Sequence, residues 1–251
     1  MIMKKFLTVI SALTLVITVF AQKKDTAIVN VPPVVQPKKK DWSKIDLSHR
    51  ANDHFMVQIG YDNWAGTPDT LSISGFSRSF NFYFMLDFPF KTDPRFSVGA
   101  GLGIGNSNVF FKNQPAPVSV LPQQDGSGGN HFKKYKLVTT YLETPLELRY
   151  AIDPENTNKS WKFAVGAKVG ILLSAYAKGK SIENGAGQVQ DPSVYKVRNN
   201  SDFNSIKLAG TARISKGPFG IFGQYDVTSL IKGSAGPIVY PFSFGICLSG
   251  L

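Results

Sequence analysis

The stretch SFNFYFMLDFPF, Ser79 to Phe90, decides the fold of this chain. Every second residue gives Phe80, Phe82, Phe84, Leu86, Phe88 and Phe90, and the residues between are Ser79, Asn81, Tyr83, Met85, Asp87 and Pro89. Side chains alternate faces along a strand, so this is one strand with an apolar wall on one side and a largely polar one on the other. Which solvent the apolar wall meets is the question on which everything else depends.

The same period continues on both sides of it. Eight strands are expected, at about 54–62, 79–90, 95–112, 134–150, 160–178, 203–214, 218–227 and 237–250, punctuated by Gly and Pro clusters and with no 3.6-residue period between them. One face collects Phe55, Val57, Ile59 and Tyr61, then Val98, Leu102 and Ile104, then Leu142, Leu146 and Leu148, then Phe163, Val165, Val169 and Ile171, and finally Phe242, Phe244, Ile246 and Leu248. The other face collects the charge: Asp62, Asp87, Arg95, Glu143, Glu147, Arg149, Lys162, Lys168, Lys207, Arg213 and Asp226, with Gln58 and Gln224. It also carries glycines at 99, 101, 103 and 105, which read as room made for long neighbours.

Alternation alone fits either a soluble barrel with its apolar face inward or a membrane barrel with that face outward. Two features favour the membrane. The connections alternate between short ones, such as KTDP, DPENTNK and SKGP, and long ones, such as Asn113 to Lys133, which is the asymmetry of outer-membrane barrels. The large aromatics Phe90, Phe96, Tyr150, Trp161 and Phe219 flank the short turns on the apolar face, where an interfacial girdle would lie. The expected fold is an all-β, eight-stranded antiparallel up-and-down transmembrane β-barrel over residues 54–251.

The rest of the chain agrees with that address. Lys4 and Lys5 precede an uncharged apolar run from Phe6 to Phe20, and Val19-Phe20-Ala21 resembles a signal-peptidase site, so residues 1–21 are expected to be a secretory signal peptide. Residues 22–53, with Pro32, Pro33, Pro37 and the run Lys38 to Lys40, read as a flexible basic periplasmic leader. Cys247 is the single cysteine, so no internal disulfide can form. The net charge of +11 is scattered along strands and loops, which argues against nucleic acid and for contact with an acidic membrane or glycan surface.

Eight strands enclose an interior that side chains can fill. The charged residues Asp87, Arg95, Glu143, Glu147, Arg149, Lys162, Lys168, Lys207, Arg213 and Asp226 are therefore expected to form a structural ion-pair network inside, because buried charges must compensate one another. Catalysis has little to use. His131 with Asp125 and Ser127 could be written as a triad, but they lie in a glycine-rich loop, and no cluster has metal-ligand spacing. No enzyme activity, metal or cofactor is expected.

The stretch YLETPLELRY, Tyr141 to Tyr150, with GAGLGIG before it and GAKVGILLSA after it, resembles the outer-membrane β-barrel proteins of Bacteroidetes, the PorT-like group. The resemblance implies a signal peptide, an eight-stranded barrel and residence in the outer membrane. One member of that group is associated with protein secretion. Three readings of function follow. The first is a small outer-membrane barrel of structural or interaction type, in contact with outer-membrane lipids and offering loops 63–78, 113–133 and 179–202 to protein partners. The second is a component that assists secretion or transport across that membrane. The third is a soluble exported barrel that binds a small apolar ligand.

Overall fold

A computed structural model describes residues 55–69, 71–73, 76–115, 119–122 and 129–250. The expected signal peptide and leader, His49, His54, Asp125 and Ser127 lie outside the described residues. Ten strands are present: β1 (Phe55–Ala65), β2 (Arg78–Pro89), β3 (Phe96–Phe111), β4 (Gln114–Pro115), β5 (His131–Ala151), β6 (Trp161–Glu183), β7 (Val189–Arg198), β8 (Ile206–Lys216), β9 (Phe219–Asp226) and β10 (Tyr240–Ser249). Eight of them close into an antiparallel ring in the order β1-β2-β3-β5-β6-β8-β9-β10, with β10 pairing back onto β1 from Met56↔Ser249 to Ala65↔Tyr240. The remaining two extend it at one end: β4 lies against the start of β5, and β7 against the end of β6.

The opening question has its answer in which face is outside the ring. Phe80, Phe82, Phe84, Leu86, Phe88 and Phe90 are all exposed, as are Leu102, Leu146, Val165, Ile171 and Ile246 on the other walls. Their neighbours Asn81, Tyr83 and Met85 are buried inside. An apolar belt around a closed ring far exceeds the patches that soluble monomers expose, and closure leaves the ring no free strand edge, as a membrane requires. A soluble barrel with its apolar face inward is set aside by this arrangement.

The connections sort by length as the sequence suggested. The ring's short turns, 90–95, 152–160 and 217–218, fall at the end that also holds both ends of the described chain. Gly217 takes φ 59° there, the left-handed conformation that a two-residue turn demands. The long connections, 66–77, 112–130, 184–205 and 227–239, all fall at the other end. All three loops marked in the sequence are partly strand: β1 runs on to Ala65, β5 begins at His131, β6 runs on to Glu183, and β7 occupies ten residues of the segment after it. The fourth connection, 227–239, was not among them.

That fourth connection has a structural task. Leu230 and Ile231 from it, Leu71 from the first loop, Val120 from the second and Phe203 from the third meet Trp64, Phe111 and Tyr135 in one buried cluster. Bridges Ile73↔Phe111 and Phe203↔Ile231 tie the loops to the wall and to each other. The mouth of the barrel is thus stoppered by an apolar core, separate from the charged interior below it.

A bulge makes that change of character possible. Tyr141 pairs with Leu172 but Thr140 pairs with Ser174, so Leu173 is the extra residue on β6. Below it Lys162 and Lys168 are buried; above it Ala175 and Ala177 are, and Tyr176, Lys178 and Lys180 are turned to the outside. A single parity carried through 160–178 therefore fails at its upper end.

Candidate functional site

Among the described residues, charged side chains converge in the interior from β1, β2, β5, β6, β8 and β9. The alternation that puts Leu142, Leu146 and Leu148 outside puts Glu143, Glu147 and Arg149 inside on the same strand, and the facing walls contribute Lys168, Lys207, Arg213 and Asp226. They form two layers, with Met56 and Met85 buried alongside.

In the upper layer Lys207 Nζ lies 2.8 Å from Glu143 Oε1 and 3.7 Å from Asp226 Oδ2. Tyr83 donates its hydroxyl to Glu143 Oε2 at 2.5 Å. Lys168, only 1% exposed, donates to Tyr83 Oη (2.9 Å), Gln224 Oε1 (2.9 Å) and Gln58 Oε1 (3.1 Å), which uses all three ammonium hydrogens. Its ammonium also sits 4.6 Å from the centre of the Tyr83 ring. Gln224 in turn donates to Asp226 Oδ1, and Asn81 to Gln58 Oε1. Ser107 donates its hydroxyl to Asp62 at the top of this layer.

In the lower layer Glu147 Oε2 accepts from Arg149 Nε at 3.0 Å and from Arg213 Nη2 at 2.8 Å. Arg149 Nη1 reaches Asp87 Oδ1 at 3.4 Å, and Arg213 Nη1 donates to Ser249 Oγ at 3.2 Å. Lys162 is buried at this level and shares a small cavity with Asp87, Ser97 and Arg149. Among the described residues the interior holds Asp62, Asp87, Glu143, Glu147 and Asp226 against Arg149, Lys162, Lys168, Lys207 and Arg213, five charges of each sign. A charge buried without its counterpart would cost several kcal/mol, roughly, so the balance is a condition of folding.

Two of the strand-three glycines make space for this arrangement. A Cβ on Gly99 would come within 2.4 Å of Arg149, and one on Gly105 within 2.6 Å of the Glu143 carboxyl.

Arg95, expected in the interior, is elsewhere. It stands in the turn before β3 and pairs with Asp93, with Nη2 2.6 Å from Oδ2 and Nε 2.9 Å from Oδ1. Those hydrogen bonds hold the Asp93 carboxyl below its ordinary range. Alternation counted backward from Phe96 leaves the strand at this residue, so the parity no longer says where the side chain goes. Conversely Tyr83, Gln58, Gln224 and Asp62 belong to the layers but were not singled out as site residues. Their position on the inward parity was visible; their role as hydrogen-bond partners of Lys168 and Glu143 depends on contacts across the ring.

The five aromatic residues of the expected girdle lie at the turn end. Phe90, Phe96, Trp161 and Phe219 are exposed on the outer face, and Tyr150 is half-buried against Phe96 with ring centres 4.9 Å apart. Lys216, opposite both Trp161 and Phe219 in the register, places its ammonium 5.7 Å from the centre of the Trp161 ring. His131 begins β5 and directs Nδ1 to the Gly129 carbonyl at 3.0 Å.

No curated protein matches the chain. The family model for the outer membrane protein beta-barrel domain matches residues 41–229, a span that includes β1 to β9. With the closed ring, its lipid-exposed belt and its buried interior charge, that match makes this chain a member of the outer membrane protein beta-barrel domain family, resident in the outer membrane.

Proposed function

We infer that the protein is a small outer-membrane barrel of structural and interaction type, closed to solutes, which acts through the surface its loop end presents and not through a pore or an active site. The observation that supports this best is the double obstruction of its axis. Interlocked charges fill the membrane-level interior, and an apolar cluster to which all four long connections contribute fills the mouth. Side chains held by several partners do not step aside for a solute at low cost. The charges are accounted for by one another, which supports a non-catalytic reading of each.

The purified full-length protein, added to a planar lipid bilayer, is expected to give no conductance steps. Regular, ion-selective steps would overturn the closed-barrel reading.

The PorT-like resemblance is carried by a stretch whose Glu143, Glu147 and Arg149 are engaged in the interior. It therefore supports shared barrel construction, with assistance to secretion kept as the alternative. A stable complex recovered from solubilised membranes would favour that alternative, and a partner-free monomer would count against it.

A further inference from the structure

Above the apolar belt, at the loop end, the outer wall changes character. The register sets Lys136 beside Lys178 and Lys178 beside Lys196, three lysines in one row across β5, β6 and β7, with Lys196 Nζ 4.3 Å from the centre of the Tyr176 ring. Lys134 faces Lys180 in the same walls, and Arg198 lies beside Tyr176. Arg78 approaches from β2: its guanidinium carbon is 5.5 Å from the centre of the Phe110 ring, and Lys136 Nζ is 5.9 Å from the same ring. Both Arg78 and Lys178 act electrostatically on Lys136.

Like charges directly opposite on neighbouring strands destabilise a sheet. Inside the barrel every cation layer has its carboxylates; here, among the described residues, none of these cations is paired with one. Lys136 donates to the neutral Asn108 at 2.8 Å, and Arg198 to Ser174 at 2.9 Å. The acids of the same hairpin are engaged elsewhere, Glu183 with Lys133 and Asp191 with Tyr195.

A groove of about 430 Å³ leads down from the Arg78 and Lys136 side of this cluster, lined by those two residues with Phe76, Phe110, Ile59 and Phe80. Its head is cationic, and its foot, Ile59 and Phe80, belongs to the lipid-facing belt. That sequence of chemistries, charge above and hydrocarbon beneath, complements an anionic amphiphile. We propose that Arg78, Lys136, Lys178 and Lys196 bind the phosphate-bearing headgroup of a membrane lipid, with an acyl chain along Ile59 and Phe80. The proposal rests on the chain being a membrane barrel; it does not depend on which end faces outward.

The test is native mass spectrometry of the detergent-purified full-length protein, delipidated and then offered phosphatidic acid or phosphatidylcholine with identical acyl chains. Phosphatidic acid is expected to be retained preferentially, and the preference should fall roughly fivefold for each lysine removed in Lys136→Gln, Lys178→Gln and Lys196→Gln. These residues lie outside the interior layers, so the variants should keep the heat-dependent gel mobility of a closed barrel. Phe80→Ser should weaken retention of both lipids alike. Equal retention of the two lipids by the unaltered protein, or an unchanged preference in the triple variant, overturns the proposal. Loss of phosphatidic acid on adding millimolar inorganic phosphate, at constant ionic strength, would also overturn it by assigning the cluster to a free anion. Failure of the variants and the unaltered protein to form any heat-resistant barrel would instead count against the membrane-barrel reading itself.

Discussion

Glu147 accepts hydrogen bonds from two arginines through one oxygen, Arg149 on its own strand and Arg213 across the ring. Replacing it by alanine leaves both guanidinium groups short of their shared counter-charge, and breaking a buried pair in this way costs about 3–5 kcal/mol. Glu147→Ala is therefore expected to unfold at distinctly lower temperature, read as the temperature at which the unboiled gel band disappears. Ser249→Ala removes one neutral acceptor of the buried Arg213, worth about 1–3 kcal/mol, and should lower that temperature by less than Glu147→Ala does. Much of this interior could be read in advance, because Glu143, Glu147, Arg149, Lys168 and Arg213 fall on one parity with apolar residues on the other. Arg95 could not, since a residue in a turn has no parity, and its partner Asp93 lies two positions away in the same turn. Tyr83 was hidden for the opposite reason: an aromatic on a polar face looks like an exception until Glu143 and Lys168 are found on either side of its hydroxyl.

Strands β5 and β6, with 21 and 23 residues, are about twice the 9–11 residues that a tilted strand needs to cross a membrane. Their lower halves bear the apolar belt and their upper halves the lysine rows, and the bulge at Leu173 separates the two regimes on β6. The alternation was legible in both strands, but one extra residue leaves no mark in composition and becomes visible only in how the strands pair. β7 reads as loop in the sequence because it is exposed along most of its length, with no buried face to set a period, and β4 is too short at two residues to show one. The belt makes a depth-dependent prediction. A lysine replacing Leu146, which is 56% exposed within the belt, should destabilise the barrel by about 2–4 kcal/mol, whereas Phe219→Lys in the girdle should cost about 0–1 kcal/mol. Urea titration of the protein refolded into phosphatidylcholine vesicles, followed by tryptophan fluorescence, would measure both.

For the molecule as a whole, three shorter connections and both described chain ends lie at one end and four long connections at the other, so its orientation can be tested directly. Protease added to intact cells is expected to cut within 112–130 or 184–205 and to spare 90–95 and 217–218. The reverse pattern would show the loop end facing the periplasm. Closure of the ring also has a consequence for how such molecules behave when crowded. A complete ring offers no free hydrogen-bonding rim, but the extension reintroduces two, at β4 and β7, the outermost strands of the sheet order. β4 is only two residues long, one of them Pro115, and β7 carries Pro192 without an amide hydrogen and Lys196 and Arg198 as mutually repelling charges. A rim interrupted by proline and charged with one sign is a poor template for a second chain. The hairpin can therefore extend beyond the apolar belt without seeding strand-to-strand aggregation among neighbouring copies.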